Sequence, residues 1–302
     1  MKVFVTGSAG RIGSHIIPHL LARGHTVTGL VRSEASASFI KTFGPGVTPL
    51  FGDMSNKELM ISTAKSHDAI LHCAMEHNKP MPEASAQERQ VVQMFGDALQ
   101  GSNKPFLMSS GTAFLKPGED EFAKVDAEKM YRAGTDVIVR EEFTKKGVRG
   151  ISVRLAMNTH DMDKMHPFLG LLLKASDTLG YVPYYGENAW SACPSEDAGL
   201  LYVLAMESAE PGAAVHALQE TVKVKDIAEA LAKRTGKKAG EVEKEKLGEL
   251  GFVGNLLQWD ATGMSSEWTR KTFGWEPKGQ RLLEEFAEAP EEYFTGEINY
   301  RR

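Results

Sequence analysis

Apolar residues fall into two alternating patterns along the first half of the chain. Short apolar runs at 3–6, 26–31, 47–51, 69–72, 105–109 and 150–154 read as buried strands. Between them, residues 11–23, 56–66, 84–100 and about 121–146 carry apolar positions at helical spacing. The first of these helices presents Ile12, Ile16, Ile17, Leu20 and Leu21 on one side and stops at Gly24. Strands alternating with helices predict an α/β fold, a doubly wound parallel sheet covered on both faces and joined by right-handed crossovers. After Leu155 the pattern changes: Pro167, Pro183, Pro194 and the YVPYY cluster point to loops and short helices. Residues 198–206 and 224–234 still read as helices, and 214–217 as one more strand. The expected organisation is a sheet domain over 1–155 and a smaller lobe over 156–302, partly interleaved with the sheet.

The turn after the first strand carries the sharpest chemical signal. Gly7, Gly10 and Gly13 stand at TGxxGxxG spacing between an apolar strand and an amphipathic helix. A first glycine permits the tight turn, a second lets a pyrophosphate approach the backbone, and a third allows close helix–strand packing. The helix N-terminus adds unpaired N–H donors and a positive dipole. Gly7, Ser8, Gly10, Arg11, Ile12 and Gly13 are therefore expected to cradle a dinucleotide in a Rossmann fold, with Arg11 adding charge near the phosphates.

The second strand ends Val31-Arg32-Ser33, without the carboxylate that commonly holds an NAD ribose. A guanidinium and a hydroxyl there suit a 2′-phosphate, so the expected cofactor is NADP. Asp53, followed by Met54 after the third strand, fits two roles: accepting from the adenine amine, or closing a turn.

Composition narrows the partners. A formal charge of −5 argues against nucleic acid or an anionic membrane as a main partner, since either wants a basic face. No apolar run approaches the roughly 18 residues of a membrane span, and the chain opens on a strand rather than a secretory signal. With only Cys73 and Cys193, a disulfide framework is not expected, and a reducing cytoplasmic setting is. His15 and His19 lie four apart on the first helix, but no third ligand accompanies them, so no metal site is expected.

TGSAGRIG on the first strand, Gly52-Asp53 after the third and His72-Cys73-Ala74 ending the fourth resemble the short-chain dehydrogenase/reductase superfamily. More narrowly, they resemble its extended or atypical branch, the NAD(P)-dependent epimerase/dehydratase group. SSGTAF after the fifth strand, VRLAMNTHD after the sixth and Trp190 ahead of Asp197-Ala198 extend the likeness. It implies a small-molecule substrate between two lobes, a monomer or homodimer, and Cys73, Ala74 and Met157 beside the cofactor. It also implies that Ser110, with Thr112 two residues on, bonds the substrate oxygen.

The family's Tyr and Lys, four residues apart on the next helix, are missing: no YxxxK occurs anywhere, and Tyr131 is followed at that spacing by Thr135. The pair matters because an unassisted phenol near pKa 10 is a poor acid–base at neutral pH. A displaced Tyr131 and Lys129, a histidine or a water must then serve, or the protein does no redox chemistry. His77 falls on the loop over the cofactor and His160 where the chain enters the second lobe. Glu88 falls near the family position of a structural Asn or Asp that organises a proton-relay water, or else reads as a helix-surface carboxylate. The expected activity is NADP-dependent reduction of a carbonyl or conjugated C=C of a fairly apolar molecule. An epimerase, dehydratase or other isomerase or lyase without net cofactor turnover, and a non-catalytic NADP sensor, are the alternatives.

Overall fold

A computed structural model describes residues 1–76, 78–127 and 132–295. In chain order the strands are β1 (Lys2–Thr6), β2 (Thr26–Val31), β3 (Val47–Phe51), β4 (Ala69–His72), β5 (Pro105–Gly111) and β6 (Arg149–Leu155). They continue with β7 (Asn158–His160), β8 (Val182–Tyr184), β9 (Ala189–Pro194), β10 (Ala214–Ala217), β11 (Glu220–Lys223) and β12 (Ala239–Glu241). Seven of them form one parallel sheet in the order β3-β2-β1-β4-β5-β6-β10. The order reverses beside β1, which is where such sheets bind ligands at their carboxyl ends.

Helices α1 (Arg11–Ala22), α2 (Glu34–Lys41), α3 (Lys57–Ser66) and α4 (Met81–Ala98) follow the first four strands. Next come α5 (Ala133–Val137), which runs through a π-helical turn into α6 (Phe143–Lys145), then α7 (Pro167–Leu179) and α8 (Ser195–Ser208). The last are α9 (Val224–Thr235), α10 (Phe252–Gln258), α11 (Glu267–Phe273) and α12 (Leu282–Glu288).

The period of two along β1 divides the core. Val3 and Val5 point to one face and meet Ile16, Ile17 and Leu20 of α1, with Leu201 and Tyr202 of α8. Phe4 points to the other and meets Met60, Phe95 and Phe143 from α3, α4 and α6. Thus α8 and β10 complete the sheet layer after the chain has left it. A separate core joins Trp190 of β9, Leu169 and Leu172 of α7, Ile227 and Leu231 of α9 and Phe286 of α12.

Two elements depart from the apolar pattern. Helix α2 was not expected; Ser33 nucleates it by accepting the Ser36 N–H at 3.2 Å. Residues 121–127, expected to be helical, form no helix, and α5 covers Ala133–Val137. Glu121 is buried, and its carboxylate accepts the Thr269 N–H at 2.8 Å, which ties that segment down as a loop.

Beneath β5 and β6 lies a buried ionic hub. The register pairs Ser110 with Arg154, and Ser152 shares their face. All three side chains converge on Asp136 of α5: Ser110 donates at 2.8 Å, Ser152 donates as well, and Arg154 donates from Nε at 3.3 Å and Nη2 at 3.2 Å. Burial pushes the Asp136 carboxyl up, but the Arg154 charge and these hydrogen bonds outweigh it and hold it below the usual range. His216 of β10 lies 3.5 Å from Arg154, and burial lowers its pKa to about 4. His72 at the end of β4 is likewise pushed by burial to about 4 and bonds Thr6 Oγ1 at 2.8 Å.

Two outcomes follow. Asp136→Ala leaves the fully buried Arg154 uncompensated and should cost about 3–5 kcal/mol in urea unfolding; a cost under about 1 kcal/mol would show the hub to be unimportant. Both imidazoles stay neutral in the fold down to about pH 4 but protonate near 6.5 when unfolded. Their share of stability is therefore complete above about pH 6.5 and lost as pH falls toward 4, at up to about 1.4 kcal/mol per pH unit each. His72→Gln should flatten that slope, and an unchanged slope would refute the assignment.

Candidate functional site

The glycine turn is built to bring backbone close to a ligand. Gly7 has φ +67°, and a Cβ there would stand 2.8 Å from Ala74 N. A Cβ on Gly13 would stand 2.3 Å from Gly7 O, so only glycine lets α1 pack this tightly on the turn. The Gly10 N–H closes the turn onto Gly7 O at 2.9 Å. No side chain caps α1 and no acid sits in its first turn, which leaves its positive end available to phosphate. These features fit a dinucleotide diphosphate on the backbone of residues 7–13. Ile12 is partly buried against the core.

Two residues of the turn do something other than expected. The Ser8 hydroxyl is buried and donates to Leu30 O at 2.9 Å, fastening the turn to β2 rather than facing phosphate. Arg11 points away from the turn. Its Nη1 meets Asp161 Oδ2 at 2.5 Å, and its Nη2 donates to Lys164 O at 2.6 Å and Met165 O at 3.2 Å. Asp161 also accepts from Ser195 at 2.8 Å, so Arg11 clamps the second lobe to α1.

At the end of β2, Arg32 is 59 % exposed and reaches Glu76 at 3.3 Å. Ser33 is occupied as the cap of α2. Asp53 takes the second of its two open roles: its Oδ1 accepts the Ser55 N–H at 2.7 Å, and that bond lowers its pKa. Met54 packs against the core under β3. Ala74 donates its N–H to Thr6 Oγ1 at 3.3 Å, so the end of β4 lies against the glycine turn. Burial drives the Cys73 thiol up to about 12, leaving it an inert wall residue.

The expected catalytic residues scatter. Ser110 faces Asp136 beneath the sheet, because β5 alternates and its side chain falls on the α5 side. Thr112 is fully buried, 2.8 Å from Ser191 Oγ and 3.2 Å from Leu155 O. His160 is fully buried too, and its Nδ1 meets Glu285 at 2.7 Å. It lines a cavity between α1 and α8 rather than the cleft containing Met157. His77, Lys129 and Tyr131 lie outside the described residues. Thr135, at the family's lysine spacing from Tyr131, is buried.

Glu88 is not a surface carboxylate. It is buried and grips Arg132 through both oxygens, at 2.6 and 3.0 Å, while Arg132 also donates to Ser109 O at 2.7 Å. Ser109 lies 2.6 Å from Tyr202 OH on the opposite side of β5. No local pattern pointed to these pairs.

A cleft opens beyond the ends of β5 and β6. It encloses about 440 Å³, with Ala113, Leu115, Met157, Trp259 and Met264 as its apolar wall and Lys116, Tyr185 and Asp260 as its ionisable groups. Met157 donates its N–H to Ser191 Oγ at 2.9 Å, and its side chain faces this cleft. Asp260 is occupied by the Ala189 N–H at 3.1 Å and by Thr262 at 2.6 Å. The Tyr185 hydroxyl has no hydrogen-bond partner among the described residues.

Residues 7–143 match the NAD(P)H-binding family model. The chain is 33% identical to the uncharacterized protein YLL056C of Saccharomyces cerevisiae, across 94% of this chain and 97% of that one. It is 32% identical to the uncharacterized protein C2A9.02 of Schizosaccharomyces pombe, across 95% and 98%. Among solved structures, the Bordetella bronchiseptica enzyme WbmH in complex with NAD+ superposes with a TM-score of 0.72 at 18% identity, over 97% of this chain and 98% of that one. With its NAD(P)-binding turn, parallel sheet order and full-length yeast relatives, the chain belongs to the atypical branch of the short-chain dehydrogenase/reductase superfamily.

Proposed function

We propose that the protein is an NADP-dependent reductase that acts on a carbonyl, or a conjugated C=C, of a fairly apolar small molecule. The observation that carries this reading is the largely exposed Arg32 at the end of β2, beside a glycine turn shaped for a diphosphate. A guanidinium there can grip a 2′-phosphate through two parallel hydrogen bonds. The nicotinamide, when bound, supplies a hydride; the chain must hold the substrate and deliver a proton to its oxygen.

The cleft suits an uncharged, compact ligand. Its wall mixes apolar side chains with the amides Asn188 and Gln258, and Lys116 is its single cationic lining residue, little to recognise a diphosphate-linked sugar. With Ser110 and Thr112 turned inward, Tyr185 is the lining group placed to donate a proton, and Lys116 shares its cavity. We read the protein as a cytoplasmic monomer or homodimer; no helix among the described residues is long and apolar enough to cross a membrane. The inward turn of Ser110 also favours a second reading, a non-catalytic NADP sensor.

Calorimetry should show Arg32→Ala losing about 10- to 100-fold in NADP+ affinity with NAD+ within twofold. Equal losses for both coenzymes would refute the assignment. Tyr185→Phe should lower kcat for NADPH-dependent reduction by about 10²–10⁴-fold without weakening NADP+. NADPH oxidation across a panel of ketones, aldehydes and enones separates the two readings: tight NADP+ binding with no turnover favours the sensor.

A further inference from the structure

Arg32 is not idle without a ligand. Its Nη1 donates to Glu76 Oε2 at 3.3 Å, while Glu76 Oε1 accepts the Asn78 N–H at 3.3 Å. Arg32 follows β2 and Glu76 follows β4, and the sheet order places β1 between those strands. Neighbouring strands lie about 4.8 Å apart, so the two side chains cross roughly two strand spacings to meet above the carboxyl end of β1. That is the end from which the glycine turn springs. The ion pair thus spans the adenosine side of the dinucleotide groove.

The contact is also weak. It is a single long hydrogen bond, with Arg32 59 % and Glu76 21 % exposed. A ribose phosphate carries more charge and three acceptor oxygens, and can bond a guanidinium twice. A ribose 2′-hydroxyl has no charge with which to displace a carboxylate. Asp53, the other acid near Arg32, accepts the Ser55 N–H and feels the Arg32 charge only as a minor influence.

We propose that Glu76 is a specificity-determining residue that competes with the 2′-phosphate for Arg32 and so tempers the preference for a phosphorylated ribose. The inference rests on the NADP reading above. Glu76 keeps the guanidinium extended over the turn, and entry of the 2′-phosphate must displace it. Part of the phosphate's binding energy is therefore spent on that exchange.

The test is calorimetric, with NADP+, NAD+ and adenosine 2′-monophosphate titrated into the wild type, Glu76→Gln, Arg32→Ala and the double variant. Glu76→Gln should tighten NADP+ and adenosine 2′-monophosphate by about three- to fivefold and leave NAD+ within twofold. In the Arg32→Ala background the same change should have no effect. If the wild type prefers NADP+ but Glu76→Gln leaves it unchanged or weaker, this inference falls and the NADP reading stands. Weakening of NAD+ alone would make Glu76 a ribose-hydroxyl acceptor and also overturn it. A wild type with no preference for NADP+ would remove the reading beneath it.

Discussion

The whole site depends on how closely α1 approaches the end of β1. A side chain at position 13 would meet Gly7 O at 2.3 Å, and one at position 7 would meet the backbone at Ala74. With both absent, the helix axis points its uncapped end at the turn, and β4 closes against the same backbone. Everything later in the chain uses that placement. Helix α8 packs beside α1 in the same core, and Arg11, at the first helical residue, reaches across to Asp161 and the second lobe. One short backbone contact therefore sets the phosphate cradle and the join between the lobes.

A second constraint explains why Ser110 does not line the cleft. Asp136 and Arg154 are both fully buried, and an isolated charge there would be costly. The hub is satisfied by drawing in Ser110 and Ser152 as further donors. That role takes the Ser110 hydroxyl away from the cleft. Similarly, the buried Glu88 and the half-buried Arg132 pair at the end of β5, next to the helix that carries the family's Tyr and Lys. The cleft's own ionisable groups, Lys116, Tyr185 and Asp260, come from elsewhere in the chain.

Much of the fold was legible from local pattern. Six apolar runs and the later run at 214–217 correspond to the seven strands of the sheet, because burial on both faces writes itself into consecutive residues. The missed helix α2 had a local signal in its Ser33 cap. The loop over 121–127 had none, since the burial of Glu121 is decided by Thr269, 148 residues away.

By itself the sequence determined the βα turn, the parallel sheet and the arginine at the end of β2, because each depends on residues within one element. Only the tertiary structure decided what the polar side chains do. Ser110 meets an aspartate 26 residues on, His160 a glutamate 125 residues on, and Arg11 an aspartate 150 residues on. A buried polar group must find a partner wherever the packed chain brings one, and periodicity carries no record of that choice.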